Sequence, residues 1–343
     1  MKLGIFIKKL SYTSGVKVSV DHLCRVLNEN GLAWQVYEYV NDEDLLRQVE
    51  TCDCSCINLQ VPSFSDRTME LIMRSKNNVV LSIHSTLCNL QVEDNCLDRL
   101  IEFGRKYPRL AVTCPSLCET ESMQRIFGCD CLYLPNTFSY ETDAEDIRKK
   151  IRDRADRLQS ILNHSSGKAE ISLFSAYRPF KNMVTQAAAV AMLPSDIPVR
   201  LHLLDTSAKT PVYAAVAKIC EDGDIETVYH RQSGNRELFR QMAGIDLGLQ
   251  VSLSETFSYV AFEHMSQAVP VIGSSSVPFA SCTADYSDAR SIRDSILRIL
   301  SDPGNYAAYS EAAYQRSMEI RRRNALDAAA CVRSMLTRSK DRE

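Results

Sequence analysis

Leu249-Gln250-Val251-Ser252-Leu253-Ser254-Glu255-Thr256-Phe257-Ser258-Tyr259-Val260-Ala261-Phe262-Glu263-His264-Met265-Ser266-Gln267-Ala268-Val269-Pro270-Val271-Ile272-Gly273-Ser274 is the stretch that decides the architecture. Its apolar start, Asp246–Val251, reads as a strand, and a polar Ser-x-Ser-Glu turn follows. Helical spacing then runs over Tyr259–Gln267, and a very short strand, Val269–Gly273, contains Pro270. Strand, turn, helix and strand in succession form the repeating unit of a parallel sheet. Glu255 falls at the mouth of the turn, and Glu263 lies about two helical turns farther on. The helix start between them offers backbone N–H groups and positive dipole potential, suited to a phosphate.

The same alternation extends outward in both directions. Upstream, strands at Ala169–Ser175, Val199–Leu204 and Glu226–Tyr229 alternate with helices at Asn182–Met192, Tyr213–Cys220 and Arg236–Ala243; from Ala289 onward the chain reads as helical. The first half repeats the theme with strands at Leu3–Ile7, Trp34–Val40, Ser55–Leu59, Val79–Ile83, Leu110–Thr113 and Cys131–Leu134. A charged helical stretch, Thr142–Leu162, and the linker Ser165-Ser166-Gly167 separate the halves. The reading is α/β: two Rossmann-like domains, 1–164 and 168–318, facing across an interdomain cleft, with a helix at 319–343 expected to cross back to the first.

Composition narrows the function classes. The 343 residues are 45% hydrophobic and 24% charged, which excludes wholesale disorder. Forty Lys and Arg against 43 Asp and Glu leave a net charge of −3, so there is no strong nucleic-acid signal. No stretch approaches the ~18 apolar residues of a transmembrane segment, and the first residues do not resemble a signal peptide. The odd count of thirteen cysteines reads as reduced thiols and a cytoplasmic location. Cys52-x-Cys54-x-Cys56 puts three thiols on one face of a strand and reads as small buried hydrophobes, with a metal or redox site as the alternative. Two Asp-x-Asp triplets, Asp42-Glu43-Asp44 and Asp222-Gly223-Asp224, read as helix-start and turn acids rather than metal ligands.

Glu-x7-Glu followed by a helix and Pro-Val-Ile-Gly-Ser resembles the donor-site signature of GT-B glycosyltransferases, the GT4-like retaining group. That family commonly carries glycine where Thr256 and Ser258 stand. Leu173-Phe174-Ser175-Ala176-Tyr177-Arg178-Pro179-Phe180-Lys181-Asn182 is similar to the family's strand, loop and basic pair opening the second domain, and Val79–Ser85 to the strand that delivers a histidine. The resemblance implies transfer of a sugar from a nucleotide-sugar donor to a glycan or small-molecule acceptor, with no cofactor and no metal required. It also implies roles. Arg178 and Lys181 would stabilise the departing diphosphate, Glu255 would bind donor-sugar hydroxyls, and His84 would touch a sugar hydroxyl or the acceptor. Glu263 would hold the ribose diol, with Thr256, Phe257, Ser258 and, more loosely, Gly15 at the donor. Two other readings keep the fold: a binding or scaffold protein without catalysis, and a nucleotide-sugar 2-epimerase.

Overall fold

Twelve short runs rich in aliphatic and β-branched residues become strands in the computed structural model, which describes residues 1–9, 15–61, 63–92, 96–140, 142–207, 209–231 and 235–338. The chain divides into two units, Met1–Tyr140 with the residues from Arg321 onward, and Glu141–Ile320.

In the first unit, β1 (Leu3–Lys8), β2 (Trp34–Tyr39), β3 (Cys56–Gln60), β4 (Asn78–Ser82), β5 (Ala111–Cys114) and β6 (Asp130–Tyr133) form a sheet ordered β2-β1-β3-β4-β5-β6. Every described pairing is parallel, with Leu3 opposite both Trp34 and Cys56. Alternation splits the core. Phe6 packs with Ile57, Leu59 and Leu81 on one face; Leu3, Ile5 and Ile7 pack with Val20, Leu23 and Val332 on the other. Each fully buried Leu, Ile or Phe contributes roughly 1.5–3 kcal/mol relative to exposure.

The second unit holds β7 (Ala169–Leu173), β8 (Val199–Leu204), β9 (Glu226–His230), β10 (Leu247–Gln250), β11 (Val271–Gly273) and β12 (Cys282–Thr283), ordered β12-β11-β10-β7-β8-β9 and again parallel. One face is apolar: Ile171, Leu173, Leu201, Leu203, Leu247 and Leu249 belong to the main core. Residues of the opposite register carry a polar network. Ser172 meets His264 at 2.7 Å, and Glu170, His202, His230 and Gln241 form a hydrogen-bonded chain of 2.6, 2.7 and 3.0 Å links.

The division falls after Tyr140 rather than near 164, so the charged helix Ala144–Leu162 belongs to the second unit. Its charge is not all solvated. Buried Arg154 donates to the carbonyls of Gln267, Ala268 and Ala243, at the carboxyl ends of the helices Tyr259–Ser266 and Asn235–Met242. That is a cation capping two helix C-termini. Arg157 pairs with Asp246, whose other oxygen accepts the Glu170 N–H at 2.8 Å. The second boundary lies at Ile320–Arg321, within the helix Pro303–Thr337.

The cysteine run also differs from its reading. The helix Asp42–Thr51 runs up to Cys52 and β3 begins only at Cys56, so the three thiols do not share a strand. Burial pushes the Cys56 thiol up to about 12 and Cys129 to about 11. Among the described residues, no three His, Cys, Asp or Glu side chains gather as metal ligands. Two elements carried too few residues to read from periodicity: the helix Leu87–Val92 and strand β12.

Candidate functional site

In the second sheet β7 and β10 are neighbours, while the chain between them winds outward through β8 and β9. The strand order reverses there, and a reversal opens a crevice at the carboxyl ends of the two strands. The segments leaving those ends carry Arg178, Lys181 and Glu255.

After β7 the chain makes a 3-10 turn, Pro179–Lys181, with Pro179 fixing its first residue. Asn182 follows at φ 51° and its side-chain amide donates to the carbonyls of Val251 (3.0 Å) and Tyr286 (2.8 Å). The Leu253 N–H donates to Phe180 O at 2.8 Å, and the Val251 N–H to Gln186 Oε1 at 2.8 Å. The two loops are thus joined through backbone groups. On that frame Lys181 Nζ stands 2.5 Å from Glu255 Oε1, which also accepts from Ser252 Oγ at 3.0 Å. The Lys181 and Glu255 side chains are 18% and 7% exposed. Arg178, at the start of the turn, is exposed.

Beyond Glu255 the backbone reaches Ser258 at φ 55°, a left-handed conformation that costs a non-glycine residue energy. Ser258 Oγ donates to Gln250 Oε1 at 3.2 Å, which ties the N-terminus of the helix Tyr259–Ser266 to β10. The Phe257 ring packs among Tyr259, Phe262 and Phe279, with centroids 5.0–5.5 Å away, so this residue can offer a ligand mainly its amide. Thr256 is partly exposed beside it.

Glu263 is 4% exposed, and no hydrogen bond or ion pair with another described residue engages its carboxyl group. Burial pushes its pKa up to about 8, so at neutral pH the unliganded side chain is mostly protonated and can both donate and accept. Its neighbour His264 was not singled out in the sequence. Nδ1 donates to Val260 O at 2.7 Å, so Nε2 accepts the Ser172 hydroxyl, and burial lowers its pKa to about 4. Gly248 permits that contact, since a Cβ there would lie 3.2 Å from the His264 ring. This histidine fastens the helix that carries Glu263 to the sheet.

The first unit holds His84 and Gly15. His84 follows β4, and Nε2 lies 2.7 Å from Gln60 Oε1 at the end of β3. Gln60 donates to Asn58, Asn58 to Ser82 (3.0 Å), and Thr113 to Ser82 (2.9 Å), which makes a neutral polar lattice across three strands. Burial lowers His84 to about 4, so it is neutral at physiological pH. With Ser19, Gln60, Asn136 and Thr137 it lines a cavity of about 20 Å³ with no Lys, Arg, Asp or Glu among the described residues of its walls. Gly15 opens the helix Gly15–Glu29, and nothing lies within 4 Å of where its Cβ would be. The preceding Tyr12–Ser14 loop lies outside the described residues. Asn136 Oδ1 accepts from Ser19 Oγ (2.7 Å), and its backbone carbonyl accepts from Asn324 Nδ2 (2.9 Å).

No protein-family model matches this chain, and no curated protein matches it by sequence. Solved structures do match along nearly its whole length. Sucrose-phosphate synthase from Thermosynechococcus elongatus superposes with a TM-score of 0.71 at 16% identity, covering 98% of this chain and 100% of that one. HepE of Anabaena, in complex with UDP and glucose, gives 0.70 at 14% identity, covering 98% and 99%. A glycosyltransferase from Rickettsia africae gives 0.68 at 9% identity, covering 98% and 100%. The fold is GT-B. At these identities the likeness speaks for the GT-B architecture, while the chemistry rests on the residues at the strand ends.

Proposed function

We propose that this chain is a retaining glycosyltransferase that moves a sugar from a nucleotide-sugar donor to a glycan or small-molecule acceptor. The observation that carries the reading is the meeting of Lys181 and Glu255 at the reversal point of the second sheet, close in sequence to a helix N-terminus and to the buried Glu263. The UDP and glucose bound in HepE support a nucleotide sugar as the ligand class.

In this reading Glu263 binds the ribose diol, for which a carboxyl group that no other described residue engages is suited. Glu255 binds hydroxyls of the transferred sugar. Lys181 and Arg178 hold the diphosphate, with the amides of Phe257 and Ser258 beside it. Transfer breaks the bond between the anomeric carbon and the donor phosphate oxygen, and the leaving diphosphate takes the electron pair. The acceptor oxygen bonds to the same face, and a phosphate oxygen takes its proton. The protein's part is fixed positive charge at the growing negative charge, so the proposed chemistry assigns no step to a metal or cofactor. His84 and its uncharged cavity suit a hydroxyl of an uncharged acceptor. No helix among the described residues is long and apolar enough to cross a membrane, and thirteen free thiols suit a reducing compartment such as the cytoplasm.

The test is a panel of nucleoside diphosphate sugars, scored for nucleoside diphosphate release and, by NMR, for anomeric configuration of the product. Tight nucleotide binding with no turnover on any donor would support the second reading, a binding protein that keeps the fold. Ser258 favours that alternative, because a strained serine occupies a left-handed position that suits glycine.

A further inference from the structure

Lys181 and Glu255 do to each other what each would do to a ligand. The ammonium stands 2.5 Å from Glu255 Oε1, in a setting largely removed from water. The same oxygen accepts the Ser252 hydroxyl at 3.0 Å, and the Ser252 carbonyl is held in turn by the hydroxyls of Ser274 (2.6 Å) and Ser276 (3.2 Å). The Leu253 N–H on Phe180 O and the Asn182 side-chain amide on Val251 O join the two loops independently, so the ion pair can part without the loops parting.

We propose that Glu255 is a built-in stand-in for a ligand anion: an incoming diphosphate displaces it from Lys181, and Ser252 retains the freed carboxylate for sugar hydroxyls. The identity of the ligand rests on the glycosyltransferase reading, whereas the exchange itself needs only an anion. A free sugar brings no charge to replace Glu255 and finds the carboxylate engaged. The site therefore responds to sugars joined to a diphosphate. Ser252 is a positioning residue that acts through Glu255.

Calorimetric titration with inorganic pyrophosphate tests the exchange. Glu255→Gln removes the competing anion at nearly constant shape, and the variant is expected to bind pyrophosphate on the order of tenfold more tightly than the unaltered protein. Lys181→Ala is expected to bind it least. Equal or weaker binding by Glu255→Gln overturns the exchange while leaving the anion site intact. Absence of binding of both pyrophosphate and nucleoside diphosphates in every variant overturns the anion site and the proposed function with it. A crystal of the unaltered protein soaked in pyrophosphate gives a reading that no substitution can disturb. It is expected to show Glu255 off Lys181 and still on Ser252, and a closed pair beside bound pyrophosphate overturns the proposal. Ser252→Ala is expected to lower the affinity ratio of nucleotide sugar to nucleoside diphosphate, with Ser252→Thr restoring it and pyrophosphate affinity unchanged in both. An unaltered ratio in Ser252→Ala removes the retaining role of Ser252.

Discussion

The two sheets share a parallel six-stranded plan, yet their carboxyl ends carry opposite chemistry. At the ends of β3 and β4 stand Gln60, Ser82 and His84, a lattice of neutral groups that satisfy one another. At the ends of β7 and β10 stand Lys181 and Glu255, charged and held together. In the second unit the reversal of strand order supplies the crevice, and in both units the side chains at the strand ends decide what can be held. A neutral lattice suits an uncharged hydroxyl compound; a cation that can exchange its anion suits a diphosphate.

The largest expected effect falls on the charged end. Lys181→Ala should lower turnover with a nucleotide sugar by two to three orders of magnitude, roughly 2.7–4 kcal/mol of barrier, with the far-ultraviolet circular dichroism unchanged. Near-normal turnover in a Lys181/Arg178 double variant would remove the charge asymmetry between the two ends as an explanation of function. Next comes the frame behind that end. Arg154→Leu should cost roughly 1.5–3 kcal/mol in denaturant melts, and hydrogen exchange should accelerate in the helices it caps, Asn235–Met242 and Tyr259–Ser266. Loss of protection confined to the first unit would contradict its place in the second.

Acidity offers a further handle on the two units, because buried histidines and the buried Glu263 titrate in opposite senses. His22 and His84 in the first unit have folded values near 4 against 6.5 unfolded, so the unfolded chain takes up protons first and stability falls as pH drops from 6.5 toward 4. His264 in the second unit behaves likewise. Glu263, near 8 folded against 4.5 unfolded, keeps its proton only in the folded state, so its contribution is lost as pH rises from 4.5 to 8. Between pH 6.5 and 8 the Glu263 slope stands clear of these histidines. Stability should fall there by on the order of 1 kcal/mol per pH unit, and Glu263→Gln should flatten the curve. An unchanged slope in the variant would mean that Glu263 ionises normally. The smallest effect belongs to the neutral end: His84→Gln should raise the acceptor KM about tenfold, with kcat little changed. A fall in kcat at constant KM would move His84 from holding the acceptor to the chemistry itself.

Much of the architecture was legible because it is local. Strands with buried aliphatic faces and helices with period 3.6 leave their pattern in consecutive residues, and the Glu-x7-Glu segment showed strand, turn and helix in order. Legibility failed where a residue's meaning depends on distant partners. Thr142–Leu162 has the composition of a solvated helix, yet Arg154 is buried because three helix-end carbonyls from residues about a hundred positions away converge on it. Nothing adjacent to His264 announces Ser172, and Gln60, one residue past the strand read at Ser55–Leu59, carries no mark until His84 is placed against it.

The sequence by itself determined the kind and order of the elements, since backbone propensity and hydrophobic period act over neighbouring residues. It also determined that Arg178, Lys181, Glu255 and Glu263 fall at strand ends and on the helix that follows. Only the tertiary structure decided that Lys181 and Glu255 form a pair, that Glu263 is buried with no partner among the described residues, and that the charged helix belongs to the second unit. Those outcomes depend on strand order and on burial, which the packing of the folded chain sets and local pattern does not encode.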